Sequence, residues 1–269
     1  MTMLSRILFA LDFSERSLRM FDRLLEQREL RAKEVVIIYV AKPDEALTIE
    51  QRETLDGMHG RLAKAGILSR EIIASGEPVA EILRAERQEN VDLIAMASSG
   101  KGRAQEIFVG STSMGVLRSA DRPVLLFKSL VHGPMLNSAL VPLDLSSCPA
   151  IVDWVIPTLI SAGLKEAVLF HVVPSTHFSM DDNERFGQVA DMLERQRDEL
   201  TGKGCEVGTH IHFGTVSYNI LEAARELGSS IIVMGIHRRS LLREVALGGN
   251  AEEVIRRSPL PLLVVPCER

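Results

Sequence analysis

The chain is written twice. Residues 7–12 read ILFALD and residues 139–144 read ALVPLD, two apolar runs that close on an aspartate 132 positions apart. Residues 35–40 (VVIIYV) and 167–172 (AVLFHV) keep that offset. Further on, Gly76 falls against Gly214, Gly110 against Gly248 and Pro123 against Pro261, now 138 positions apart. The extra six residues fit a longer second crossover in the second copy. A period of this size is far beyond a solenoid unit and matches a whole domain. Two domains are therefore expected, 1–129 and 137–269, joined by a short segment containing the Gly133–Pro134 breaker.

Within each half, short apolar runs alternate with longer charged segments. Runs near 4–10, 35–40, 68–74, 93–97 and 124–127 are rich in Val, Ile and Leu without strict polar alternation. That pattern suits strands buried on both faces of a parallel sheet. The segment 16–30 places Leu18, Phe21, Leu24 and Leu25 on one side, as an amphipathic helix does. The segment 78–89 repeats this with Val79, Ile82 and Leu83, and Pro78 stands in the first turn, where a helix tolerates it best. The second half predicts strands near 138–143, 166–172, 207–213, 230–234 and 262–265. Its helices are expected near 149–162, 183–201, 215–227 and 250–257. Alternation of this kind means right-handed βαβ units. Ten strands do not suit a (β/α)8 barrel, so the expected class is α/β, as two tandem doubly wound domains with five-stranded parallel sheets. Ligands of such sheets sit beyond the carboxyl ends of the strands.

Of 269 residues, 46% are apolar and 25% charged, which excludes disorder as the main state. The net charge of −5 gives no general attraction to nucleic acid or anionic membrane. No apolar run approaches the length that crosses a bilayer, and the opening MTMLSRILFALDFSERS is unlike a signal peptide. A cytoplasmic protein without nucleic-acid or membrane partners is the expectation. Cys148, Cys205 and Cys267 are scattered without a CxxC pair, so neither a disulfide framework nor a thiolate metal site is expected. Cys148 reads as structural and Cys267 as exposed near the C-terminus. Trp154 reads as core or domain interface.

Candidate chemistry lies after the fourth strand. Ala97-Ser98-Ser99-Gly100-Lys101-Gly102-Arg103 is followed by Gly110-Ser111-Thr112-Ser113, which opens the last helix of the half. Glycines admit close approach of backbone N–H groups, and a helix N-terminus favours an anion. The Ser111 and Ser113 hydroxyls add donors, so the segment reads as a phosphate cradle or as an ordinary turn. Neither GxxxxGK[ST] nor GxGxxG is present. Asp12 has two readings, a helix cap or an acceptor for ribose and adenine.

Taken together, these residues resemble the universal stress protein family in its tandem two-domain form. The resemblance rests on a first strand ending in Asp and on Gly76-Glu77-Pro78. It rests further on the signature G-x2-G-x9-G-[ST] followed by a Pro-Val-Leu strand. The first half gives Ala97-x2-Gly100-x9-Gly110-Ser111, then Pro123-Val124-Leu125. The second gives Gly235-x2-Arg238-x9-Gly248-Gly249, then Pro261-Leu262-Leu263. The resemblance covers essentially the whole chain. It implies a Rossmann-like fold of the adenine nucleotide alpha hydrolase type, with strand order 3-2-1-4-5, and ATP as ligand, with ADP or AMP as alternatives and Mg accompanying the phosphates. Carried onto this chain, Asp12 and the backbone of Val40 would hold adenosine. Ala97, Gly100, Lys101, Gly110, Ser111, Thr112 and Ser113 would surround the phosphates. It also implies a homodimer through the fold-typical interface and an unidentified protein partner.

The departures make the halves unequal. Ala97 replaces the first signature glycine, which is costly only if its φ is positive. Arg238 and Gly249 replace a glycine and a hydroxyl residue in the second half, so its nucleotide site is expected to be degenerate, with a smaller anion such as AMP or phosphate at His237-Arg238-Arg239 as the alternative. His171, His210 and His212 lie near strand ends there, and His171 and His212 are expected to converge near Asp144. Without a compact metal motif they read as ordinary buried or rim histidines, with a zinc site as the alternative. No G-x-S-x-G elbow supplies a nucleophile. The leading reading is an ATP-binding stress or regulatory protein with little or no turnover. A protein-interaction module without nucleotide, a slow ATPase and an adenylyl-transferring enzyme stay open.

Overall fold

The computed structural model describes residues 5–26, 32–98, 109–128, 133–144, 148–174, 182–237, 239–241, 244–246 and 248–267. The chain divides into two compact units, Met1–Ser129 and Leu130–Arg269.

The first unit runs β1 (Arg6–Leu11), α1 (Glu15–Glu26), β2 (Glu34–Ala41), α2 (Ile49–Lys64), β3 (Leu68–Ser75), α3 (Pro78–Gln88), β4 (Leu93–Ala97), α4 (Ser111–Ser119) and β5 (Val124–Phe127). Its strands lie in the order β3-β2-β1-β4-β5 and pair in parallel. Ile7, Leu8, Phe9, Val35, Val36 and Ile37 are fully buried, as strands covered on both faces require.

The second unit repeats this as β6 (Ser138–Pro142), α5 (Ile156–Ser161), β7 (Glu166–Pro174), α6 (Asp182–Leu200), β8 (Glu206–Gly214), α7 (Val216–Glu226) and β9 (Ile231–His237). A short antiparallel hairpin follows, β10 (Arg239–Leu241) with β11 (Glu244–Ala246), then α8 (Gly249–Arg257) and β12 (Leu262–Cys267). A π-helical turn, Ile151–Val155, leads into α5. The parallel order within this unit is β8-β7-β6-β9-β12, again 3-2-1-4-5.

The duplication extends to single hydrogen bonds. The Asp92 amide donates to Arg6 O, and the Ser230 amide to Ser138 O, each at 2.8 Å. The Leu68 amide donates to Lys33 O, and the Glu206 amide to Lys165 O. Donors shift by 138 and acceptors by 132, so the six-residue growth lies in the crossover that holds α2 and α6. Gly76 and Gly214 close β3 and β8 with φ of 145° and 128°, a region open to glycine.

Three expectations need correction. Sequence periodicity missed α2, whose buried residues are only Leu55, Met58 and Leu62. Its Thr48–Gln51 capping box was a readable start signal. Trp154 is 39% exposed rather than core. Cys148 and Cys267 form a disulfide across 119 residues, and Cys267 is buried. No helix among the described residues is long and apolar enough to cross a membrane.

Candidate functional site

Each unit carries a cavity at the carboxyl ends of its strands. In the first it is about 140 Å³ and is lined by Asp12, Tyr39, Val40, Ala97, Thr112 and Ser113, among others. Asp12 follows β1. Its Oδ1 accepts the Ser14 amide at 2.9 Å, and Ser14 Oγ in turn accepts the Ser17 amide at 3.2 Å. Asp12 thus shapes the turn before α1 while Ser14 caps the helix. The side chain is nonetheless exposed at the cavity.

Helix α4 points its N-terminus at the same place. Gly110 is its N-cap, and no side chain caps it. The first-turn N–H groups therefore keep their capacity to donate to an anion. Ser111 is exposed, but Ser113 is buried and donates its hydroxyl hydrogen to Ala97 O at 3.2 Å. Ser113 is committed to joining α4 to β4, so Thr112 and the backbone are the better donors. Ala97 belongs to β4 and has no positive φ, so its methyl group stores no strain. Gly100, Lys101 and Arg103 lie outside the described residues.

In the second unit the corresponding cavity is about 380 Å³. It includes Asp144, His171, Val172 and Gly235, which stand at the register of Asp12, Tyr39, Val40 and Ala97. At the positions of Thr112 and Ser113 it has Asn250 and Ala251. No Lys or Arg lines it among the described residues. His171 Nδ1 lies 2.7 Å from Leu143 O. His212 pairs in register with Val172, one position from His171, and its ring lies 4.9 Å from Phe170. The alternation of a strand therefore puts His171 and His212 on opposite faces, and the expected convergence near Asp144 does not occur. No group of three or more metal-ligating side chains is found among the described residues.

The universal stress protein family model matches twice, over residues 3–128 and 135–266. The chain belongs to the universal stress protein family. A crystal structure of a universal stress protein from Archaeoglobus fulgidus superposes with a TM-score of 0.79 at 27% identity, covering 97% of this chain and 98% of that one. A universal stress protein of Methanocaldococcus jannaschii is 26% identical over 155 residues, 47% of this chain and 96% of the relative. Universal stress protein G of Escherichia coli O157:H7 is 33% identical over 107 residues, 36% of this chain and 75% of the relative.

Against the family signature, the two repeats have diverged in opposite ways. The first has lost the first glycine at Ala97 while keeping Gly110 and Ser111. The second keeps that glycine as Gly235, but for packing. A Cβ there would lie 2.6 Å from Cys267 Sγ and 3.0 Å from Cys148 Cβ. The disulfide thus occupies the space that the missing side chain leaves. Arg238 lies outside the described residues, and β10–β11 follows it.

Proposed function

We propose that the chain is a nucleotide-binding universal stress protein that takes ATP in its first domain, residues 1–129, with little or no turnover. The observation that carries this reading is the cavity that gathers Asp12, Val40, Ala97, Thr112 and Ser113 before the uncapped N-terminus of α4. In this reading the base lies against β1, β2 and β4, Asp12 offers a carboxylate to a ribose hydroxyl, and the α4 amides donate to the phosphates. ADP and AMP share the base and ribose contacts. Mg would enter with the phosphates. The second domain, 137–269, retains the Asp144 carboxylate but not the hydroxyls of Thr112 and Ser113.

A cytoplasmic location and a homodimer through the fold-typical surface go with this reading. In a reducing compartment the Cys148–Cys267 pair would be a reversible one. Nucleotide released from denatured, purified protein and identified by mass spectrometry tests the ligand. ATP or ADP at one per chain, lost in Asp12→Ala, supports it. No nucleotide, with no heat on titrating ATP, favours an interaction module. Sedimentation at micromolar concentration tests the dimer.

A further inference from the structure

The second cavity is more than twice as large as the first, and its chemistry is different. We infer that it binds a largely apolar ring compound carrying one hydroxyl, which donates to His171 Nε2.

Four observations on this unit lead there. The cavity lies within the size range of small-molecule sites. Its body is carbon, with Ile151, Val189, Ile220 and Met234 on the walls and the Cys148 end of the disulfide beneath. Its lining also holds a pair of exposed aromatic rings. Phe186 and Phe213 are stacked 6.0 Å apart with planes 10° from parallel, yet they remain 41% and 48% exposed. Large apolar groups left in water beside an apolar cavity gain free energy when a ligand covers them. The fourth observation is His171. It is nine-tenths buried and lines the cavity. Leu143 O can only accept, so Nδ1 carries the hydrogen, and Nε2 of the neutral ring is left as an acceptor. Nε2 has no protein partner among the described residues.

Asp144 stands exposed at the cavity, and no Lys or Arg lines it among the described residues. A hydroxyl satisfies Nε2 without bringing charge, and a planar ring meets the aromatic pair. Occupancy does not depend on ATP in the first domain.

Isothermal titration of the full chain with 2-naphthol, and with 2-methoxynaphthalene as the partner probe without a donor, tests this. The expected result is one 2-naphthol per chain, bound at least tenfold more tightly than the ether. Phe186→Ala with Phe213→Ala, both at exposed positions, should weaken both probes about tenfold. His171→Asn keeps an amide donor for Leu143 O while removing Nε2. It should weaken 2-naphthol about tenfold and leave the ether unchanged, with circular dichroism showing the fold retained. In the wild-type chain, nuclear Overhauser contacts from naphthol protons to the Met234 methyl need no variant. Absence of binding, absence of those contacts, displacement of the naphthol from them by ATP, or equal affinity for the two probes would overturn the inference.

Discussion

Tyr39 and His171 stand at the same register of the two repeats and show how one fold has made two different sites. Tyr39 lines the smaller cavity with its ring set edge-on to Phe13, 4.8 Å away. His171 is tied back to Leu143 O and borders a larger space. The second pair of equivalents, Ala97 and Gly235, diverges at the backbone. Ala97 carries a methyl group in an ordinary strand, whereas Gly235 is bare because a disulfide lies against it. The strand order and the helix that faces the site are shared, so the difference comes from side chains and one cross-link. Fold is kept while site chemistry is free to change.

The largest effect that would break this comparison is loss of the cross-link. Cys148→Ser should lower stability by about 2–4 kcal/mol, read in urea unfolding, and reductant should do the same to the wild-type chain. Reductant should leave Cys148→Ser itself unmoved. Cys205 will not substitute as a partner, since burial and the nearby Glu166 and Glu206 push its thiol up to about 11. Next in size, Gly110→Arg should weaken ATP about a hundredfold by filling the space before α4, equivalent to about 2.7 kcal/mol. Gly248→Arg, the same change in the second repeat, should leave ATP affinity unchanged in isothermal titration.

Glu86 sharpens the comparison through pH. It is buried in α3 and accepts the Arg122 amide at 2.6 Å, whereas Ala224 holds its register in α7. Burial raises its carboxyl above the usual range, with the Asp121 charge adding to the effect. The neutral form is therefore the one that the fold favours. Its contribution is fully present below the unfolded-state pKa and is lost as pH rises through the folded value. Glu86→Ala should cost about 1–3 kcal/mol in acid, where the Arg122 amide loses a neutral partner, and less at pH 8. Thermal melts of both chains at the two pH values check the sign. The smallest effect is Ala97→Gly. Without strain to relieve, it should cost under about 1 kcal/mol of stability and leave ATP affinity within a few-fold.

Much of this architecture was legible because the constraint repeats. A strand buried on both faces must be apolar throughout, so β1, β2 and β4 and their copies stood out. The paired glycines at 76 and 214 marked turns that other residues enter only with strain. Helix α2 was hard to read because Gly57 and Gly60 sit in it with nothing within 4 Å of where a Cβ would be, so its polar face diluted the apolar spacing. The disulfide left no local trace, as its cysteines are 119 residues apart and meet only when β12 lies beside β9. The hairpin β10–β11 was equally silent. In the candidate site, Asp12, Val40, Ala97, Thr112 and Ser113 were named from sequence and line one cavity. The larger cavity was missed because its character depends on Phe186 and Phe213, brought together from α6 and β8.

The central claim is that the repeats share a fold but not a ligand. Isothermal titration of the intact chain with ATP tests it most directly. The account predicts a stoichiometry near one, with affinity weakened about a hundredfold by Gly110→Arg and unchanged by Gly248→Arg. A stoichiometry near two, or binding that survives Gly110→Arg and disappears in Gly248→Arg, would contradict it.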